Sequence, residues 1–448
     1  MSYCGRKPCE TENAMTNGNS LDPWYDSYAQ RTAGLSASEV RALFAVASRP
    51  EVVSLAGGMP FVSALPRELV TGSLDRVMAE DAAMALQYGG GQGLRQLREH
   101  IVDVMSLEGI RASAEDVVVT TGSQHALDLV TRLFIDPGDV VLAESPSYVG
   151  AIGVFRSYQA ETVHVATDEH GLVPEALRET IARLRAAGKR MKFLYTIPNF
   201  HNPAGVTMSR ERRIEVLDIC RSNNILVLED NPYGLLWFDE PAPQAIRSID
   251  DEGVVYLGSF SKTLAPGFRV GWALAPHAIR EKLVLANESA VLAPNSFGQY
   301  VVNAYLDAAD WKGQIDTFRG IYAERRDAMF QALGEFLPDL SWTRPNGGFF
   351  VWLTLPESLD SKAMLPRAVK ELVAYTPGTA FYADGRGAGH IRLSFCYPTA
   401  EQIRVGVKRL ANVVNGELEL LETFGSTTRP NPVVQQATSV SAPPPNVS

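Results

Sequence analysis

The stretch Val254–Lys262 runs apolar, then ends in two hydroxyls, Ser259 and Ser261, and an amine, Lys262. Arg269 follows seven residues later, beyond Pro266-Gly267. An amine at a strand end, with hydroxyls and a guanidinium beside it, suits a small aldehyde cofactor that carries a phosphate. The amine condenses with the carbonyl, while the hydroxyls and the guanidinium hold the dianion. The same short pattern, Ser-x-Ser-Lys, also describes a solvated surface lysine and arises often by chance.

Other segments add functional groups in similar settings. Thr120-Thr121-Gly122-Ser123-Gln124 leaves a strand and opens a helix, where free N–H groups and the Ser123 hydroxyl can bind an anion. An ordinary serine cap would look the same. Glu229-Asp230-Asn231-Pro232-Tyr233 ends another apolar run. A carboxylate there can pair with a protonated ring nitrogen and keep the ring electron-accepting. Asp230 is better placed than Glu229, because neighbouring side chains alternate along a strand; an Asp that caps a loop is the competing reading. Tyr233 could hydrogen-bond a phenolic oxygen on the same ring. Pro198–Gly205 carries Asn202-Pro203-Ala204-Gly205, which is turn chemistry in its own right and also offers the Asn202 amide as a donor. Tyr148, after Glu144-Ser145-Pro146-Ser147, can stack on a ring or simply pack in the core. Arg392 interrupts the apolar strand pattern His390–Phe395, so it must face water or a partner. Its planar fork suits a carboxylate, and a structural ion pair is the alternative.

Elements that could position these groups are visible in the pattern. Apolar runs of strand length occupy Val117–Thr121, Val140–Glu144, Phe193–Ile197, Ile225–Glu229 and Val254–Phe260. Helix-length amphipathic segments, Ser123–Ile135, Pro174–Ala186 and Arg210–Arg221, separate most of them. Continuous apolar strands alternating with helices predict a mainly parallel sheet covered on both faces. Ligands of such sheets sit at the carboxyl ends of the strands, which is where the polar groups above cluster. Beyond about residue 290 the pattern changes to long helices, Ser296–Ala308 and Gln314–Glu335, and two strands, Gly348–Leu355 and His390–Phe395. This reads as a smaller α+β domain, and Ser36–Ala47 is expected to pack with it.

The 448 residues exceed what one hydrophobic core normally serves, so two domains are expected. The net charge of −10 and the lack of a basic run argue against a nucleic-acid binder. Cys4, Cys9, Cys220 and Cys396 form no C-x-x-C pair, which favours reduced thiols over disulfides or a metal site. No run is long and apolar enough for a membrane span, and no signal peptide is recognised, so a cytoplasmic location is expected. The polar first residues and the Pro- and Ser-rich last ones are expected to be disordered.

Taken in order, these motifs resemble the class I/II group of fold-type I pyridoxal-phosphate-dependent aminotransferases. The resemblance covers about Ser54 to Val414 and rests on Ser54–Pro60, Tyr88–Gly93, Thr121–Gln124, Pro198–Gly205, Gly258–Lys262 with Pro266–Arg269, and Arg344–Gly348. Within the group the chain looks most like the 2-aminoadipate and kynurenine branch. The resemblance implies an aspartate aminotransferase-like fold: a three-layer, mainly parallel cofactor domain with a smaller α+β domain. The expected layout is a disordered tail over 1–25 and an N-terminal segment 26–60 packing with the small domain. A large pyridoxal-phosphate domain then spans 61–295, a small domain 296–424 and a second disordered tail 425–448.

The resemblance also implies roles. Lys262 holds the cofactor and moves the proton; Asp230 pairs the ring nitrogen; Asn202 and Tyr233 meet the phenolic oxygen; Tyr148 stacks. Ser123, Gln124, Ser259, Ser261 and Arg269 bind the phosphate, and Tyr88 reaches the neighbouring subunit's phosphate, which requires a homodimer. Arg392 with Asn202 takes the substrate carboxylate, and the Gly57-Gly58 backbone lines its pocket. At the position where some relatives carry an arginine toward an acidic side chain, this chain has Leu35. Aliphatic, aromatic or broadly chosen amino donors are therefore expected, with 2-oxoglutarate or pyruvate as acceptor. A carbon–sulfur lyase would use the same residues. A non-catalytic domain of a winged-helix regulator is disfavoured, since such a DNA-binding domain needs ~60 residues or more ahead of the body.

Overall fold

A computed structural model describes residues 22–35 and 49–424. The segment Ser36–Ala47, the tail from residue 425 and the first 21 residues lie outside the described residues.

Near the start, β1 (Val53–Ser54) stands apart from the main sheet. The main sheet has eight strands: β2 (Val117–Thr120), β3 (Val140–Ser145), β4 (Glu161–Asp168), β5 (Gly171–Leu172), β6 (Met191–Thr196), β7 (Leu226–Asp230), β8 (Val254–Ser259) and β9 (Gly271–Leu274). Their spatial order is β2-β9-β8-β7-β6-β3-β4-β5. The pairs from β8 through β7, β6 and β3 to β4 are all parallel. Both partners of β9 are antiparallel to it, and so is β5 to β4.

The apolar runs are continuous because both faces are covered. Val118, Val141, Phe193, Leu228 and Leu257 pack with Leu127, Phe155 and Leu283 from the helices Ser123–Phe134, Val149–Ser157 and His277–Val291. Their sequence neighbours Leu142, Leu194 and Val227, with Val254 three positions before Leu257, point the other way, against Leu177 and Val216 of the helices Pro174–Ala186 and Arg210–Ser222. Each fully buried side chain of this size stabilises the fold by about 1.5–3 kcal/mol relative to exposure.

Downstream, β10 (Ser341–Trp342), β11 (Phe350–Thr354), β13 (Thr376–Pro377) and β14 (His390–Ser394) form an antiparallel sheet of order β10-β11-β14-β13. The short β12 (Val373–Ala374) pairs in parallel with β1, and the Leu55 carbonyl accepts from the Ser394 amide, so the segment before Gly57 is tied to this second sheet. The largest apolar cluster is shared between the two sheets. Val119, Tyr256 and Trp272 of the main sheet join Phe350, Leu393 and Leu410.

The sequence expectations for Pro174–Ala186 and Ser296–Ala308 coincide with the observed helices. Three strands of the main sheet have no counterpart in the apolar runs, the two-residue β5 among them. β9 spans four residues and opens on a glycine, and β4 is an edge-side strand whose polar residues leave no apolar run. No helix among the described residues is long and apolar enough to cross a membrane.

Candidate active site

Parallel strands point their carboxyl ends the same way, so the loops that follow them meet on one side of the sheet. The loop after β3 brings Tyr148, that after β6 brings Asn202, β7 ends in Asp230, and the turn after β8 brings Lys262. These four line one cavity of about 650 Å³, together with Ser123, Tyr233, Gly58 and Arg392.

Lys262 is partly buried, and its Nζ donates to the Gly58 carbonyl at 2.9 Å. Desolvation, with lesser contributions from Arg392 and Arg269, pushes its ammonium down to about 8. Asp230 is buried, and burial raises its carboxyl to about 6. Tyr195 donates to Asp230 Oδ2 at 2.7 Å and pulls in the opposite direction. Asp230 Oδ1 is buried without a hydrogen-bond partner. A buried carboxylate oxygen left unpaired is costly, and it marks where a cationic N–H donor belongs. Glu229 points to the opposite face, where it accepts from the Ile246 and Arg247 amides at 2.9 and 2.8 Å.

An anion cradle lies beside the cavity. Gly122 (φ +78°) precedes the helix Ser123–Phe134, and a Cβ there would fall 2.6 Å from Arg269 Nη2. Only glycine admits both that backbone and that approach. Arg269 donates to the Thr121 carbonyl at 3.0 Å, and Ser259 donates to Ser261 Oγ at 2.8 Å. The first amides of a helix have no acceptor within it, which adds donors to the cradle. Gln124 accepts from the Tyr148 hydroxyl at 3.2 Å and donates to the Gly150 carbonyl at 3.1 Å, so it seats the Tyr148 ring. Amine, orphaned carboxylate oxygen, aromatic ring and anion cradle together fit pyridoxal phosphate.

Arg392 lies on the inner strand β14, between Trp352 and Thr376 of its neighbours. It is buried and donates to Asn202 Oδ1 (2.9 Å), the Ala56 carbonyl (2.6 Å) and Thr376 Oγ1 (3.3 Å). The rings of Phe350 and Phe381 lie 4.1 and 4.9 Å from the guanidinium. Burial lowers its pKa to about 10, which leaves it cationic at neutral pH. Since the Asn202 oxygen is taken by Arg392, the amide N–H₂ remains as a donor. Tyr233 is buried edge-on against Phe349 and Phe350.

The remaining expected site residues do not reach this cavity. Leu35 ends a short 3₁₀ turn, is 64 % exposed and is not among the residues lining the cavity. Tyr88 is 77 % exposed and lies near Ala293–Phe297 at the surface. Sequence reasoning missed Tyr195, Phe350 and a buried brace behind Asp230. In that brace Asn231 donates to Glu108 at 2.7 Å and accepts from Asn199 at 3.1 Å, and Tyr256 donates to Glu108 at 2.6 Å. Burial raises the Glu108 carboxyl to about 7.

Tyr195→Phe leaves Asp230 Oδ2 unpaired and raises the Asp230 pKa further. A hydrogen bond to a charged group contributes about 1.5–3 kcal/mol, so turnover is expected to fall roughly ten- to a hundredfold. Because the carboxylate is lost as pH falls, the acidic limb of the kcat profile should move to higher pH. An unchanged limb would show that the phenol only fills space.

Residues 59–410 match the family model described as aminotransferase class I and II. The chain is 42% identical to an aromatic-amino-acid aminotransferase of Thermococcus litoralis over 88% of its length and 96% of that protein's. It is similar to the crystal structure of Pyrococcus horikoshii kynurenine aminotransferase in complex with PMP, at 40% identity and a TM-score of 0.85, covering 89% of this chain and 99% of that one. The α-aminoadipate aminotransferase of Thermus thermophilus, complexed with N-(5'-phosphopyridoxyl)-L-leucine, matches at 35% identity and a TM-score of 0.82, over the same shares of the two chains.

Proposed function

The chain belongs to the class I and II aminotransferases and uses pyridoxal phosphate, and on that premise we propose that it moves the α-amino group of aliphatic or aromatic amino acids to a 2-oxo acid such as 2-oxoglutarate or pyruvate. The supporting observation is the cavity wall. Among the described residues its charged lining residues are Asp230, Lys262 and Arg392, and each already has a task in the reaction, while Met59, Val149, Ile197 and Phe350 are apolar. An apolar wall cannot compensate the desolvation of a second substrate carboxylate. The names of two relatives, an aromatic-amino-acid aminotransferase and a kynurenine aminotransferase, agree with this choice, whereas the α-aminoadipate enzyme is named for an acidic donor.

Bound pyridoxal phosphate supplies a carbonyl that exchanges the amino group and a ring that accepts electrons. The protein does the rest. Arg392 clamps the substrate α-carboxylate by its fork, and Asn202 keeps that fork in plane. Lys262 Nζ, its pKa brought down to about 8 because its ammonium is poorly solvated, takes the proton from the substrate Cα in its unprotonated form and holds it for delivery. Asp230 would pair with the ring nitrogen of the cofactor, with Tyr195 fixing the carboxylate. Ser123, Gln124, Ser259, Ser261 and Arg269 anchor the phosphate, and Tyr148 and Tyr233 bound the ring. Tyr88, exposed on its Gly-rich turn, serves the site of a second copy in a homodimer. The large domain spans 61–295 and the small one 296–424.

The test is steady-state kinetics across leucine, valine, phenylalanine, kynurenine, aspartate and 2-aminoadipate, on protein that sediments as a dimer. Phenylalanine, kynurenine and leucine are expected to exceed the acidic donors in kcat/KM. An advantage of tenfold or more for aspartate or 2-aminoadipate would overturn the reading.

A further inference from the structure

The helix Val149–Ser157 begins beside the ring of Tyr148 and presents Val149, Gly150 and Gly153 to the cavity. That spacing of three and four places them on one helix face. The two glycines are held by different constraints. A Cβ at Gly150 would sit 2.5 Å from Tyr148 Cζ, so glycine there is required by the seating of the tyrosine. A Cβ at Gly153 would meet nothing within 4 Å among the described residues. Its backbone is ordinary helix, which any residue adopts. Glycine in a helix interior weakens the helix relative to alanine. Among the described residues, neither packing nor backbone geometry therefore asks for glycine at 153; what it leaves there is open space on the cavity side.

We propose that Gly153 is a specificity-determining residue: its missing side chain keeps open the part of the cavity that receives the ring of an aromatic donor. The inference rests on the reading of this cavity as the site for donors with apolar side chains, and it names which position sets their size. Two other apolar wall residues, Phe350 and Met59, are tied to their neighbours. Phe350 is held between Gly58, whose Cβ would approach its Cζ to 2.9 Å, and the Arg392 guanidinium. Met59 is held through its backbone, whose carbonyl accepts from the Cys396 thiol at 3.1 Å. Side-chain volume added at 153 therefore comes out of the space open to the substrate, in proportion to the carbons added.

Holoenzymes of wild type, Gly153→Ala and Gly153→Leu are compared with phenylalanine and with alanine as donors. The ratio of kcat/KM for phenylalanine to that for alanine is expected to fall stepwise, by at least tenfold in the leucine variant. A binding readout runs beside it: the dissociation constants of unreactive 3-phenylpropanoate and propanoate, followed by the visible absorbance, should diverge in the same order. The alanine variant should melt no lower than wild type, since the change favours the helix, and it keeps the test valid if Gly153→Leu folds poorly. A constant ratio, or an equal loss with both donors, overturns the role of Gly153 alone. A wild-type enzyme that rejects phenylalanine overturns the substrate-class reading and this inference with it.

Discussion

Lys262→Ala is expected to lower turnover with every donor by on the order of 10²–10⁴-fold from lost proton transfer alone, and the loss grows when the covalent anchorage of the cofactor is counted. The wild-type protein should be yellow and bleach when a good donor is added. The variant should retain cofactor through the cradle around Gly122, Ser259 and Arg269, yet fail to pass through the bleaching cycle. Stopped-flow absorbance with leucine or phenylalanine separates the two, and full turnover in the variant would refute the assignment of Lys262. The same residue dictates a pH dependence. Its amine works as a base only when unprotonated, and desolvation brings its pKa down to about 8. The proton-transfer rate should thus rise with pH through that value and level off above it.

Arg392→Ala is expected to cut kcat/KM for all amino donors by a similar factor. The substrate carboxylate then meets a partly desolvated site without its fork, a loss of about 2–5 kcal/mol, or roughly 30- to 4,000-fold. Cofactor binding should survive, because the guanidinium's bonds go to Asn202, Ala56 and Thr376 and not to the cradle. There is a linked effect on Lys262. Arg392 is one of the cations that hold the lysine pKa down, so its removal should move the rising limb set by Lys262 to higher pH. A variant that loses activity toward one donor only would mean that Arg392 serves a side chain and not the common carboxylate, and a limb that stays in place would mean that its charge does not govern Lys262.

Much of the site was legible in the sequence because it obeys local rules. Lys262, Asp230, Asn202 and Tyr148 each follow an apolar run of strand length, and a parallel sheet gathers such positions at one end. The choice of Asp230 over Glu229 needed only the alternation of side chains along a strand. Arg392 stood out as a lone cation in an apolar strand. The main sheet was legible wherever its strands are buried on both faces, as in β3, β6, β7 and β8.

Other features depended on the register between distant segments, which no local pattern contains. Tyr195 pairs with Leu228 across the β6–β7 ladder, and Leu228 shares its face with Asp230. The tyrosine therefore reaches the carboxylate only once that register is set, and a slip of one residue would turn it to the opposite face. The antiparallel β9 is four residues long and shows no periodicity of its own; it is a strand because β2 and β8 leave a gap that it fills with hydrogen bonds to both. The brace of Asn231, Glu108 and Tyr256 joins residues separated by more than a hundred positions. The sequence by itself determined which groups stand at the strand ends that line the cavity, through residue type and position. The tertiary structure alone decided which oxygen of Asp230 stays free, that Leu35 is turned to solvent, and where the cavity has room, because each of these depends on side chains that meet only after the chain has folded.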